Sequence, residues 1–192
     1  ALDRAGMLCA IFPLLEQQKG CAPQYYGGWG VFSHTLAVCD RLEFLLTHLE
    51  QVFPEFHREL APHAGKPGFL QLVALLHDIS KPETAKEINN RLRFFNHEGR
   101  GAKRTEAIMR ELRFSRAEIT LASKIVGEHL RPGNLAANRL ITPRAMYRFF
   151  SELGEAAVPM TLVCWADYAS YIPLKTTVRL LPKTRALPKP VS

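Results

Sequence analysis

The stretch Phe69-Leu70-Gln71-Leu72-Val73-Ala74-Leu75-Leu76 constrains this chain most, because a helix that is apolar on nearly every face must be buried on nearly every side. It runs directly into His77 and Asp78. An unpaired aspartate carried into an interior costs on the order of several kcal/mol, so Asp78 needs a cation beside it. A metal ion would serve, with imidazole nitrogen and carboxylate oxygen as its ligands. The alternative is that the pair merely ends the helix, with Asp78 capping the next turn and Lys81 pairing with it.

Elsewhere apolar residues recur at helical spacing and period-two alternation is nearly absent, which makes the expected fold all-α: a compact helical bundle with at most a minor short strand pair. Helices are expected over about residues 3–17 and 31–51, up to Asp78, from His97 to about Leu112, and from the Ser115 cap to His129. Two more are expected from the Thr142-Pro143 cap to about Leu153 and over about residues 159–171. Ser115 with Glu118 reads as a capping box, and Thr142-Pro143 as an N-cap followed by a proline at the first helical position. Lys81-Pro82-Glu83-Thr84 reads as a polar loop, Arg91 to Phe95 as a short strand, and Pro132-Gly133 as a helix stop.

A length of 192 residues suits one domain with a small appendage. The expected division is a helix and loop over residues 1–28, connecting from an upstream domain, a main domain over 29–172 and a tail over 173–192. The chain begins without methionine and inside a helical pattern, as a fragment of a longer polypeptide would. Of the net charge of +7, much lies in the tail, where Lys175, Arg179, Lys183, Arg185 and Lys189 occur without an acid, as in a solvated linker or a segment that follows a phosphate backbone. No apolar run reaches the roughly 20 residues that span a membrane, and the start lacks the pattern of an export signal. Cys9, Cys21, Cys39 and Cys164 show no CxxC spacing and read as reduced core thiols, so the expected location is cytoplasmic.

Of seven histidines, His34, His77, His97 and His129 fall on or at the end of expected helices beside apolar or small residues, and Asp78 and Asp167 do likewise. Side chains from facing helices of one bundle can meet at a central site. Mixed imidazole and carboxylate ligation suits a divalent ion without choosing among the transition metals. His48, His57 and His63 lie in polar or loop-like sequence and receive no role.

The order of these elements resembles the HD superfamily of metal-dependent phosphohydrolases: Val31-Phe32-Ser33-His34, Leu75-Leu76-His77-Asp78-Ile79-Ser80-Lys81-Pro82, Phe95-Asn96-His97-Glu98-Gly99-Arg100, Val126-Gly127-Glu128-His129 and Trp165-Ala166-Asp167. Ser80 stands where many members have glycine. Within that superfamily, Arg91 to Glu98, Leu112 to Ser115, His129 to Pro132, Arg148-Phe149-Phe150 and the opening Ala5 to Glu16 are similar to the HD region of bacterial tRNA nucleotidyltransferase and poly(A) polymerase proteins. The magnesium-binding Asp-x-Asp of their nucleotidyltransferase head is missing from this sequence, so nucleotide addition by this chain alone is not expected.

The resemblance implies one or two divalent ions, drawn from Mn, Fe, Ni, Co, Mg and Zn. His34, His77, Asp78 and Asp167 would hold the first, and His97 and His129 a second beside a bridging Asp78. It implies hydrolysis of a phosphomonoester or phosphodiester, a nucleotide above all, by metal-activated water. Asp78 would orient that water, and Lys81, Arg100 and Arg104 would meet phosphate. Two other readings stand beside it: an RNA-binding module that keeps its metal as a structural staple and touches RNA through the basic tail, and a regulatory domain that senses a nucleotide.

Overall fold

The computed structural model of the protein describes residues 6–137 and 141–173. Its helices are α1 (Met7–Ile11), α2 (Leu14–Gln18), α3 (Pro23–Tyr26), α4 (Val31–Thr47), α5 (Leu49–Val52), α6 (His57–Ala64), α7 (Pro67–Leu76), α8 (Lys81–Thr84), α9 (His97–Glu111), α10 (Arg116–Glu128), α11 (Arg131–Ala136), α12 (Pro143–Leu153) and α13 (Ala157–Ser170). Between α8 and α9 lies one antiparallel hairpin, β1 (Ala85–Ile88) with β2 (Arg91–Phe94). The fold is all-α with a minor strand pair, as the sequence pattern requires.

α7 packs on α4, α4 on α13, and α9 on α10. Their facing stripes make the main core, in which Leu42 and Leu45 of α4, Val73 and Ala74 of α7, Met109 of α9, Ile125 and Val126 of α10 and Met160 and Leu162 of α13 are buried. A smaller cluster of Leu15, Phe32, Leu75, Leu76 and Ile79 joins α2 to the ends of α4 and α7. Both expected caps are present: Ser115 Oγ accepts from the Glu118 N–H while Glu118 returns a bond to the Ser115 N–H, and Thr142 Oγ1 accepts from the Ala145 N–H.

Several local expectations are corrected. The single helix expected over residues 3–17 is broken between Ile11 and Leu14, where Pro13 removes a backbone donor; residues 1–5 lie outside the described residues. The helix expected to reach Gln51 stops at Thr47, whose hydroxyl donates to the Glu43 and Phe44 carbonyls while His48 leaves helical geometry. Residues 81–84 form a turn of helix rather than a loop, with Pro82 in the first turn where its missing N–H costs nothing, and Pro132 likewise opens α11 instead of ending a helix. The partner of β2 is β1, joined to it by Asn89 and Asn90, both at positive φ, the geometry of a two-residue hairpin turn. The basic tail from residue 174 onward lies outside the described residues. Among the described residues, no helix is long and apolar enough to cross a membrane, and all four cysteines are free.

Candidate metal centre

Antiparallel packing gathers helix starts and helix ends at one place. His34 lies in the first turns of α4, His77 just past the end of α7, His97 at the first residue of α9, His129 just past the end of α10 and Asp167 in the last turn of α13. The C-terminal ends of α7, α10 and α13 thus converge with their partial negative charge, which favours a cation. His34, His77, Asp78, His97 and His129 are buried, and Asp167 is half-buried.

Asp78 is wholly buried at the centre. Its Oδ2 lies 3.1 Å from His77 Nε2 and 3.4 Å from His34 Nε2; its Oδ1 lies 3.5 Å from His97 Nε2 and 3.7 Å from His129 Nε2. Asp167 Oδ1 stands 3.1 Å from His34 Nε2. The two carboxylate oxygens of Asp78 therefore face two different pairs of imidazoles.

The tautomers follow from the other ring nitrogens. Nδ1 of His77, His97 and His129 donates to the carbonyls of Ala74, Phe94 and Val126 at 2.7, 2.8 and 2.7 Å. A carbonyl only accepts, so each Nδ1 carries the hydrogen and each Nε2 presents a lone pair. His34 Nδ1 meets Ser170 Oγ at 3.2 Å; that hydroxyl donates its own hydrogen to the Asp167 carbonyl at 2.6 Å and so accepts from His34. Four Nε2 lone pairs thus point at carboxylate oxygens. His34 Nε2, His77 Nε2, His97 Nε2, Asp78 Oδ1 and Asp167 Oδ1 are buried without a hydrogen-bond partner. Acceptors set against acceptors in a buried space require a cation between them, and oriented Nε2 donors with Nδ1–H held by carbonyls are the usual preparation for a metal.

These residues fit a metal ion. His34, His77 and Asp167 form one group whose ligand atoms lie within 4.8 Å of one another, and Asp78, His97 and His129 form another. Burial opposes ionisation of Asp78, yet His77, Lys81 and His34 around it prevail and hold its carboxyl well below the usual range. Burial pulls His129 down to about 4, so this ring stays neutral and able to ligate at ordinary pH. Burial also pulls on His34, but Asp167 and Asp78 outweigh it and raise its pKa.

A family model for the HD domain matches residues 31–170. The chain belongs to the HD domain family. The matched family is the HD domain as a whole, without distinction of the tRNA nucleotidyltransferase branch. No curated protein matches the chain. In this HD domain the six residues singled out by sequence, His34, His77, Asp78, His97, His129 and Asp167, come together in one cluster.

The cations fare differently. Lys81 is buried rather than solvated, with Nζ 2.6 Å from Asp78 Oδ2 and 2.8 Å from the Tyr26 hydroxyl, so the pairing foreseen for a plain helix end coexists with the cluster. Arg100 is exposed on α9, where its charge helps depress the pKa of Glu83. Arg104 is exposed and ion-paired with Glu83 at 3.0 Å. Sequence reasoning passed over Gln18, whose amide donates to the Asp78 carbonyl at 3.1 Å while its Oε1 accepts from Thr35 Oγ1 at 3.2 Å. No local pattern marks Gln18. Ser170 was legible in principle, three residues after Asp167 on the same helix face.

Proposed function

We propose that this HD domain is a metal-dependent phosphohydrolase acting on a phosphomonoester or phosphodiester, with a nucleotide as substrate. One observation carries the reading: the Asp78 carboxylate faces four prepared Nε2 atoms, two on each oxygen. Where two ions bind, His34, His77 and Asp167 with Asp78 would hold one, and His97 and His129 with Asp78 the other. A divalent ion there supplies a nucleophilic water at neutral pH and polarises a phosphoryl oxygen.

The chain's own groups do the rest. Asp78 holds its charge because His77 and Lys81 stay beside it, and its Oδ1, the oxygen that Lys81 does not occupy, would orient the attacking water. The Nδ1–H bonds, to backbone carbonyls for His77, His97 and His129 and to the Ser170 hydroxyl for His34, keep each ring fixed, so little reorganisation is needed when charge develops. Lys81, screened from solvent, adds a positive field at the phosphate position, and Arg100 on the exposed face of α9 meets the substrate's outer oxygens. Arg104 reaches phosphate only on leaving Glu83. The proposed boundaries remain residues 1–28 and 29–172, with Gln18 of the first bonded to Asp78 of the second.

A second reading, an RNA-binding module related to tRNA nucleotidyltransferase proteins, has one supporting observation. On the exposed face of the hairpin Lys86 stands directly opposite Arg93, and Arg91 opposite Ile88. Like charges placed opposite one another destabilise a strand pair, and a polyanion would relieve them.

The test is to purify the chain, measure its metals and assay a generic phosphodiester, a 2′,3′-cyclic nucleotide and a nucleoside monophosphate with manganese or nickel, beside His77→Ala and Asp78→Ala. Turnover that falls at least about a hundredfold in both variants supports the enzyme; effects of this size follow loss of a single preorganised electrostatic group. Full metal occupancy without turnover on any substrate defeats it, and RNA binding that weakens steeply with salt then favours the second reading.

A further inference from the structure

Beside the metal centre, Tyr25, Tyr26, Leu92, Phe94 and Tyr171 line a cleft of about 200 Å³. Three separate segments build it: α3, β2 and the residue that follows α13. All five side chains are aromatic or aliphatic. The space lies below the ~300–1,000 Å³ of sites that enclose a whole drug-sized molecule, so it suits one part of a ligand.

Two walls of the cleft, Tyr26 and Tyr171, pack against His34 of the cluster around Asp78. The ring of His34 lies 4.9 Å from that of Tyr26 and 5.2 Å from that of Tyr171, centroid to centroid. Lys81 Nζ lies 5.0 Å from the Tyr26 centroid and 5.4 Å from that of Phe94, while also meeting Asp78. One buried ammonium thus separates an aromatic compartment from a cation-seeking one. A molecule spanning both would be flat and aromatic at one end and anionic at the other.

Tyr25 is 58% exposed and Tyr171 61% exposed, although each borders this cleft. Two large rings left open to water beside an apolar hollow are a surface that gains by being covered. Tyr26 is fixed from below, its hydroxyl accepting from Lys81, and Leu92 and Phe94 are half-buried on the hairpin face that turns toward the domain. The platform is therefore prepared on one side and open on the other.

We infer that this cleft is a base-binding subsite, taking the heteroaromatic ring of a nucleotide whose phosphate lies at the Asp78 cluster. The inference rests on the phosphohydrolase reading for the placement of the phosphate. Stacking on tyrosine tolerates different bases because every base has a π-face, so the subsite selects for a ring and only weakly among rings.

The experiment measures equilibrium binding by calorimetry, and kcat/KM, for four nucleoside 5′-monophosphates against ribose 5-phosphate, which keeps the phosphomonoester and lacks the base. Wild type is compared with Tyr25→Ala, Tyr171→Ala, Tyr25→Phe and Tyr171→Phe. Nucleotides are expected to bind about tenfold more tightly than ribose 5-phosphate, the order of one stacked base. Each alanine variant removes most of that preference, weakening nucleotides far more than ribose 5-phosphate, and each phenylalanine variant retains it. Equal binding of nucleotides and ribose 5-phosphate by wild type overturns the inference. So does an equal weakening of both ligands in the alanine variants, or a change in oligomeric state without a change in ring preference, which assigns the cleft to a protein partner. Absence of turnover with the base preference intact defeats the phosphohydrolase reading alone, and turnover without base preference defeats the subsite alone.

Discussion

The side-chain amide of Gln18 donates to the backbone carbonyl of Asp78 at 3.1 Å, with both residues wholly buried. α2 therefore grips the turn that carries the central carboxylate, although Gln18 precedes the residues matched to the HD domain. Gln18→Met keeps the volume and removes both hydrogen bonds, leaving the Thr35 hydroxyl unpaired. The expected loss is about 2–3 kcal/mol, read by urea denaturation. Gln18→Ala adds a cavity and is expected to cost about 1–2 kcal/mol more.

Gly30 sits at φ 61°, and a Cβ there would lie 2.1 Å from the Cys21 carbonyl oxygen. This close approach seats the start of α4, and with it His34. Gly30→Ala is expected to cost at least about 2 kcal/mol, since both backbone strain and a collision with fixed backbone oppose it. Gly68 in the first turn of α7 has open space where a Cβ would go, and Gly68→Ala is expected to stabilise by about 0.5–1 kcal/mol. Paired thermal melts of the two variants check the contrast.

The six clustered residues were readable because histidine and aspartate are conspicuous on apolar helices, and helical periodicity placed them at helix ends before any packing was known. What escaped depends on long-range contacts. Gln18 acts on a residue sixty positions away, and the five residues of the aromatic cleft come from three segments that no spacing links. The short helices at Lys81 and Arg131 were hidden by their prolines, which read as breaks but sit in first turns, where proline is tolerated. Asn89-Asn90 is a hairpin signal, but β1 before it shows no alternation, since all four of its residues are exposed.

In the metal-free protein, His129 has a folded pKa of about 4 against an unfolded value near 6.5. Between these values the unfolded chain holds a proton that the folded chain does not, so stability rises with pH across the window, by up to about 3 kcal/mol. Asp78 acts in the same sense at lower pH: its depressed pKa contributes stability above the unfolded value near 3.9, lost as pH falls through the folded one. His34 opposes them, because its raised pKa contributes stability below about 6.5 that is lost as pH rises through the folded value. Denaturation of chelated protein is expected to show stability rising from about pH 4 to 6.5 and no further rise above it. The slope between about pH 4 and 6.5 flattens in His129→Phe.

Removing metal leaves the Nε2 lone pairs of His77, His97 and His129 facing the carboxylate oxygens of Asp78 in a buried space. Any ion bound by the folded chain alone stabilises it by RT ln(1 + [L]/Kd), about 2.7 kcal/mol at a hundredfold excess over Kd. Chelation is expected to lower the melting temperature, and added manganese, nickel or zinc to restore it. A melting curve indifferent to both contradicts the assignment.

The most direct measurement of the central claim is metal stoichiometry, by elemental analysis of wild type beside two double variants. Asp78→Asn is combined with Lys81→Met so that the buried ammonium is not left without its partner, and circular dichroism confirms that the variant is folded. His97→Ala is combined with His129→Ala. The expected result is a bound divalent ion in wild type, its loss when Asp78 is neutralised, and reduced metal content when His97 and His129 are removed. Undiminished metal in the folded Asp78 variant would contradict a centre organised by this carboxylate.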